Sequence, residues 1–375
     1  MARYRLVSIC QIISGSTPKT GVQEYWNGDK KWITPAELSE SDYIIYDTER
    51  KLTEAGVRSA GLTPLPKGTV ILSSRAPIGK VAIAGCEMYC NQGFKNFVCS
   101  NIINNKYLYW YLRSKTDFLN SLGRGATFKE ISKSIVADIE LDIPELSEQS
   151  KRVAHLEKLQ SIITSRRIQL AKLDELVKCR FIEMFGDPVA NPMGWATKSM
   201  HEVAPHSPIE IKTEDNDIWL LNLDKIESHT GRVTEYVYNR PNEIGTSTCG
   251  FDNRHVLYSK LRPYLNKVVV PNKSGMATSE LLALRPNEAL NREFLAHLLR
   301  SDNFVGYISE KVAGAKMPRV SMDIFRSFPC ILPPMPIQNT FADFVHRIDK
   351  LRIVIRQSLD EAQKLFDSLM QEYFD

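Results

Sequence analysis

The strongest constraint on this chain is that much of it is written twice. Val70 to Ala84 reads VILSSRAPIGKVAIA, and Val256 to Val270 reads VLYSKLRPYLNKVVV. Each has a β-rich lead, a basic turn containing proline, and then Lys with a run of small and branched apolar residues. YLYWYLRS (Tyr107 to Ser114) lines up with FLAHLLRS (Phe294 to Ser301), 187 residues later (294 − 107). GRGATFKEIS ending at Ser132 parallels VAGAKMPRVS ending at Ser321, and IELDIPELSEQ ending at Gln149 parallels PCILPPMPIQ ending at Gln338, each 189 residues later (338 − 149). Phe185 falls on Phe374 at that same offset, while NQGFKNFV at Asn91 has a fainter counterpart in TSELLALR at Thr278. So long a period lies beyond the solenoid repeats of about 20 to 50 residues, and two copies predict a pseudo-symmetric molecule.

Each copy ends in a long helical pattern. From about Ser147 to Phe185 there is neither Pro nor Gly, and Leu156, Ile163, Leu170, Val177 and Met184 recur at steps of seven. Leu159 and Leu173 fill a second seam position, which Arg166 and Arg180 interrupt. Ser147 is placed to cap the start, and Gly186 with Pro188 stops the helix. In the second copy Val345, Leu359, Phe366 and Tyr373 share one register, with Arg352 interrupting it, and Ile348, Ile355, Ala362 and Leu369 share the other. Narrow heptad stripes predict coiled-coil pairing, with each helix the simplest partner of the other. A packing hairpin within one large domain is the competing arrangement.

The preceding segments carry short β-branched runs broken by Gly and Pro turns, then a small helical piece, which predicts an α+β unit with a substantial curved sheet. The boundaries expected are 1–145 for the first unit, 146–186 for its helix, 187–336 for the second unit and 337–375 for the last helix.

Composition narrows the classes. The 375 residues are 43% hydrophobic and 25% charged, ordinary for a globular chain of two or three domains. No apolar run approaches the roughly 18 residues of a membrane span, and the N-terminus MARYRLVSICQII does not read as a signal peptide, so a cytoplasmic location is expected. Seven dispersed cysteines predict reduced thiols rather than a disulfide framework. Cys86, Cys90 and Cys99 lack the convergent ligands of a structural zinc site, and the seven histidines form no cluster, so no metal is expected. A net charge of +4 permits a nucleic-acid partner only if basic groups are concentrated on particular loops. GxGxxG, Walker A, HExxH and Asn-Pro-Pro-aromatic motifs are all missing, which predicts no catalytic residue and no cofactor in this chain.

GSTPKT, EYWNGDKKWITPAEL, SSRAPIGKVAIA, NQGF, IPELSEQ and MFGDPVANPMGW occur in an order, and within a two-unit plan, that resembles the specificity (S) subunit of type I restriction-modification systems. The likeness covers nearly the whole chain. The second half departs from it: PHSPIEIKTEDNDIWLLNLDKIE stands where a counterpart of GSTPKT to WITPAEL is expected. The resemblance implies an α+β fold with two α/β target-recognition domains in pseudo-two-fold arrangement, separated by two long antiparallel coiled-coil helices. It also implies a non-catalytic subunit that reads a split, asymmetric double-stranded DNA target. The implied partners are two methyltransferase subunits, which would hold the S-adenosylmethionine, together with restriction subunits in a full system, and no membrane. The alternatives are a subunit of a methyltransferase-only or type II-like system, and a coiled-coil adaptor without DNA readout.

Reading a duplex takes phosphate contacts for register and side chains at base edges for sequence. The candidates in the first unit are Thr17, Lys19, Arg75, Lys80, Gln92, Lys95, Arg124 and Lys129; those in the second are Lys260, Arg262, Lys267, Ser279, Lys316 and Arg319. Arg75 and Gln92 read equally as scaffold groups that satisfy turn carbonyls. Lys80 and Lys267 recur at matched positions and suit a phosphate or a solvated sheet edge. Thr17 and Pro18 also suit a simple turn. Trp26, Trp32, Trp195 and Trp219 read as packing residues rather than base-stacking ones.

Overall fold

The computed structural model describes residues 2–39, 41–75, 77–125, 129–211, 217–312 and 316–375. It has two compact units: unit 1 is residues 1–165 with 358–375, and unit 2 is residues 166–357. Four helices organise their cores: α1 (Asn105–Ser114), α2 (Leu146–Phe185), α3 (Arg292–Arg300) and α4 (Met335–Phe374). Helices α2 and α4 are each 40 residues, about 60 Å at 1.5 Å per residue. Helix α2 begins one residue before Ser147, so that serine lies inside the first turn rather than capping it. Gly186 ends the helix at φ 73°, a left-handed conformation that costs glycine no Cβ clash.

The two larger sheets of unit 1 use strands β1 (Cys10–Ser14), β2 (Trp26–Ile33), β3 (Ile44–Ile45), β4 (Arg50–Leu52), β5 (Val70–Ser73), β6 (Val81–Ala84), β7 (Tyr89–Cys90) and β8 (Phe94–Cys99). They form a five-stranded sheet in the order β1-β8-β5-β6-β3 and a three-stranded sheet β4-β2-β7, where a single curved sheet was expected. Burial on both faces explains why β5 up to Leu72, and all of β6, are apolar. Val70, Leu72, Val81 and Ile83 face a core made with α1, while Ile71, Ala82 and Ala84 face a second core with Ile13, Ile33 and Phe94.

Unit 2 repeats this plan. The strands of its two larger sheets are β9 (Ile218–Leu221), β10 (Val237–Asn239), β11 (Thr248–Phe251), β12 (Val256–Ser259), β13 (Val268–Val269), β14 (Gly275–Thr278) and β15 (Leu281–Leu284). These sheets run β10-β9-β14-β11 and β13-β12-β15. Val256, Tyr258, Leu282 and Leu284 join the helical core, and Leu257, Leu281 and Ala283 join the sheet-side core. Where PHSPIEIKTEDNDIWLLNLDKIE stands in place of a counterpart of GSTPKT to WITPAEL, Ile218–Leu221 still forms a strand in the position of β2. Trp32 pairs in parallel with Tyr89, and Leu220, beside Trp219, pairs in parallel with Met276. Few residues in this strand are shared, which hid the correspondence.

Both long helices contribute to both cores. In unit 1, Val153, Leu156 and Ile163 of α2 share a core with Ala362, Phe366 and Phe374 of α4, and Leu159, Leu359, Leu369 and Tyr373 pack at its edge. In unit 2, Val177, Phe181 and Phe185 share a core with Phe341, Val345 and Ile348, with Leu173 and Met184 at the edge. The helices run antiparallel there: Arg352 pairs with Asp174 at 2.6 Å, while Phe341 meets Phe181 and Phe185 edge-on. Leu170 and Ile355, expected in the seam, are only half-buried and belong to neither core. The apolar stripe turns to Phe181 and Phe185 because an α-helix drifts from a strict seven-residue period. The repeat also exchanges partners: Tyr107 meets Phe374 at 5.2 Å in unit 1, and Phe294 meets Phe185 at 4.7 Å in unit 2.

One polar device fixes each long helix to its unit. The fully buried Gln149 accepts from the amide of Asn104 at 2.8 Å and donates to the carbonyls of Ile102 (3.0 Å) and Pro144 (2.9 Å). Gln338, equally buried, accepts from Asn291 at 2.9 Å and donates to Ala289 (3.0 Å) and Pro333 (2.7 Å). Asn104 and Asn291 in turn cap α1 and α3 through their side chains. Replacing either glutamine with leucine strands one amide and two carbonyls, at about 1–3 kcal/mol for each buried group left unmade. Gln149→Leu is therefore expected to lower stability by about 3 kcal/mol or more in urea titration. Hydrogen-exchange protection should be lost first around Ile102–Asn104, with Gln338→Leu acting correspondingly around Ala289–Asn291.

Candidate nucleic-acid interface

At one edge of each unit, three loops are locked together by main-chain hydrogen bonds. In unit 1 the turn after β5 closes through Ser73 N to Lys80 O (2.9 Å), and the Ser73 hydroxyl donates to Pro77 O (2.7 Å). Ser74 N donates to Gly93 O (2.8 Å), and Ile131 N donates to Ser74 O (2.9 Å). Unit 2 builds the same frame: Ser259 N to Lys267 O (3.0 Å), Lys260 N to Glu280 O (2.9 Å) and Val320 N to Lys260 O (2.9 Å). An isolated bridge joins Arg75 to Glu130, and another joins Leu261 to Arg319. The frame thus aligns the units residue by residue, independently of side-chain identity.

The side chains on this frame differ. Ser74 corresponds to Lys260, Arg75 to Leu261, Gly93 to Glu280 and Glu130 to Arg319, with Gln92 facing Ser279 in the alignment. In unit 1 the acidic group is Glu130, paired to Lys95 at 3.3 Å and to Arg75 at 3.9 Å. In unit 2 the acid sits elsewhere on the frame: Glu280, at the place of Gly93, is ion-paired to Arg319, at the place of Glu130. Different charge patterns on one backbone present different hydrogen-bonding faces to a base edge.

The sequence-derived candidates divide by what their polar ends already touch. Lys19, Gln92, Arg124 and Lys129 in unit 1, and Arg262, Ser279, Lys316 and Arg319 in unit 2, are exposed, while Thr17, Arg75 and Lys260 are half-buried. The Thr17 hydroxyl donates to Gln92 Oε1, which orients that amide and ties the opening loop to the NQGF loop. Arg262 sits at φ 50°, held there by its amide bonding to Pro318 O at 2.8 Å, and the exposed Tyr264 follows it. Three lysines are occupied internally. Lys95 is 5% exposed because strand alternation turns it inward, where it meets Ser74 Oγ at 3.2 Å and Glu130. Lys80 donates to Leu38 O, and Lys267 donates to Leu223 O at 2.6 Å. The latter two make the same bond in both units, a lysine clamping the loop that follows β2 or β9. Burial lowers the Lys267 pKa.

Sequence reasoning passed over the two acidic anchors, Glu130 and Glu280. The signal was available: Glu130 and Arg319 occupy matched places in KEIS and PRVS. It also passed over a second cationic surface, where Arg50 stacks on Trp26 at 3.7 Å in unit 1 and Lys273 lies over Tyr236 at 3.9 Å in unit 2. Trp26, Trp32 and Trp219 are buried in packing, and Trp195 is half-buried with its indole donating to Phe185 O. Among the described residues no cluster of three or more His, Cys, Asp or Glu is arranged to hold a metal. None of the helices described is long and apolar enough to cross a membrane.

The two ion pairs differ in burial, and mutation should separate them. Glu130→Ala leaves the buried Lys95 ammonium with only a hydroxyl, so a loss of about 1–3 kcal/mol is expected in denaturant titration. Arg319→Ala removes a more exposed pair and should cost under about 1 kcal/mol.

A family model described as the type I restriction modification DNA specificity domain matches residues 1–173 and 250–364. The chain is 29% identical over 407 residues to the type I restriction enzyme MjaIX specificity subunit of Methanocaldococcus jannaschii, covering 98% of this chain and 90% of that protein. It is 22% identical to the type I restriction enzyme EcoDI specificity subunit of Escherichia coli, over 73% and 70% of the two chains. Its fold is similar to that of the S subunit from M. genitalium, with a TM-score of 0.63 and 14% identity over 100% and 96% of the chains. A second similar fold, at TM-score 0.57 and 17% identity over 100% and 97%, comes from work on complex assembly in the type I R-M system.

Proposed function

Because this chain belongs to the type I restriction modification DNA specificity domain family, we propose that it is the sequence-reading, non-catalytic subunit of a type I restriction-modification assembly. One observation carries this reading: a single hydrogen-bonded loop frame occurs twice and bears different polar side chains each time. One scaffold with two chemistries suits a reader of two unlike half-sequences. The exposed Gln92, Arg124 and Lys129 in unit 1, and Arg262, Ser279 and Arg319 in unit 2, are the groups proposed to meet bases and phosphates. Arginine suits guanine and glutamine suits adenine in the major groove. Lys80, Lys95 and Lys267 support the frame from beneath.

The chemistry belongs to partners. Methyltransferase subunits would bind S-adenosylmethionine and take the target base from the stack into their own pockets; restriction subunits complete the system, in the cytoplasm. Helix α2 passes unbroken from unit 1 residues into unit 2 residues, and its residue count is proposed to set the gap between half-sequences.

Mapping methylated bases in DNA from cells with and without this gene tests the function: a split, asymmetric motif should vanish on deletion. Exchanging Ser74, Arg75, Gln92 and Glu130 for their unit 2 counterparts should alter one half of the motif and leave the other intact. Inserting one helical turn near Arg166 should change the number of unspecified base pairs and neither half-sequence. Arg124→Ala with Lys129→Ala should flatten the salt dependence of duplex binding by about two units of slope if both meet phosphates.

A further inference from the structure

Cys10 and Cys99 stand directly opposite each other on β1 and β8, and both are free thiols. The amide of Ser100 donates to Ile9 O at 2.9 Å, so Ile9 and Ser100 carry the main-chain bond and Cys10 with Cys99 is the next, non-hydrogen-bonded pair. In such pairs the Cα atoms lie about 4.5 Å apart and the side chains are at their closest. Disulfides span Cα separations of about 4.4 to 6.8 Å, so the main chain already holds this pair where a bond can form. Both sulfurs lie on the face of the sheet turned to the helical core: Cys10 is buried in it with Ile12, and the half-buried Cys99 packs at its edge. The Cys10 thiol is held well above its ordinary pKa, first by its hydrogen bond with the Cys99 sulfur and then by burial.

Packing does not ask for sulfur here, because unit 2 builds the same junction without it. The helical turn Met200–Val203 is followed by Ala204, whose amide bonds back to Met200 O, just as the Cys10 amide bonds back to Leu6 O after Leu6–Ile9. Asn287 N donates to Val203 O at 2.9 Å where Ser100 N donates to Ile9 O, which puts Ala204 and Pro286 at the places of Cys10 and Cys99. Elsewhere the thiols meet oxygen or nitrogen instead: Cys86 and Cys249 donate to the carbonyls of Tyr46 and Leu281, and the Cys90 sulfur accepts from Asn96.

We propose that Cys10 and Cys99 are a modification site, which hydrogen peroxide oxidises to a disulfide that staples β1 to β8 in unit 1 alone. Cys99, the more exposed sulfur, meets the oxidant. As the thiolate it forms an S–O bond while the O–O bond breaks, giving a sulfenic acid and a hydroxide that takes up the proton the thiol released. The Cys10 sulfur then attacks the sulfenic sulfur: the S–S bond forms, the S–O bond breaks, and the departing hydroxide takes the Cys10 proton. Two thiols lose two electrons, and the peroxide leaves as two waters. The new bond matters because β1 is an edge strand with β8 as its one neighbour in the sheet. It closes a loop that contains every strand from β1 to β8. Beyond the far end of the same strand pair the Thr17 hydroxyl already joins Gln92, so the staple fixes the opposite end of the ladder that carries those two loops.

The competing role is that of two small side chains that fill the core edge and stay reduced. The test uses the full chain carrying Cys179→Ser, which removes the exposed thiol. It is treated at low concentration with hydrogen peroxide, alkylated and mapped by mass spectrometry without reduction, and melted before and after dithiothreitol. A peptide pair joining Cys10 to Cys99, two hydrogen atoms lighter than its parts and separated by dithiothreitol, is expected. A long closed loop constrains the unfolded chain, so the oxidised form should melt about 5 °C or more above the reduced one. Hydrogen-exchange protection should rise across residues 10–99 and stay unchanged across 218–284. Cys10→Ala, which installs the residue unit 2 uses, should give no cross-link and no rise in melting temperature. Cys99→Ser repeats that readout if the first variant does not fold, and the peptide map of the chain with both cysteines needs neither. Cys99 recovered as a sulfinic acid beside a reduced Cys10 overturns the proposal. So does a disulfide from Cys99 to any other cysteine, or a bond between Cys10 and Cys99 that leaves the melting temperature unchanged or lowers it.

Discussion

Everything polar at the base of each unit converges on one buried glutamine. Gln149 and Gln338 each join three segments: the cap of a small helix, the loop before it, and the turn into a long helix. A primary amide is the smallest side chain that accepts from an amide and donates to two carbonyls at once. Because the residue is fully buried, no water stands ready to substitute, and the angle at which the long helix leaves the unit follows from that geometry. The aromatic pairs Tyr107 with Phe374 and Phe185 with Phe294 then close the apolar side of the same junction.

Above this base the architecture separates what must stay constant from what is free to change. The sheet buried on both faces, the lysine clamps on Leu38 and Leu223, and the main-chain bonds of the loop frame recur in both units. The exposed side chains carried by the frame do not recur. A scaffold that satisfies its backbone without help from these side chains leaves them available for a ligand.

Much of the fold was legible because duplication supplies its own alignment: both long helices, the two mixed units and the anchor at Gln149 and Gln338 all follow from matched positions. Three things were hidden, each for a physical reason. The bonds of Gln149 run to backbone groups, which carry no sequence signature. The match between Trp32 and Trp219 was obscured because the strands around them share pleat and pairing rather than residues. Lys95 looks like an exposed cation until strand alternation turns it inward beside Glu130. In the long helices, heptad counting found Leu156, Ile163 and Val177 but passed over Phe181, Phe185 and Phe341, where aromatic packing against α3 displaces the narrow stripe. For the interface, residue type and loop position selected candidates, but only the hydrogen-bond frame sorted the occupied lysines from the exposed side chains.

Unit 1 is completed by residues 358–375, with Ala362, Phe366 and Phe374 filling its helical core. On the ribosome, therefore, the half of the protein made first is finished last. Until residues 358–375 emerge, Tyr107, Trp110, Leu156 and Ile163 lack the partners Ala362, Phe366 and Phe374, while unit 2 has every residue it needs once residue 357 is made. Nascent unit 1 must wait through the synthesis of its sibling, a long interval in which a chaperone, or another unfinished chain, can occupy the vacancy.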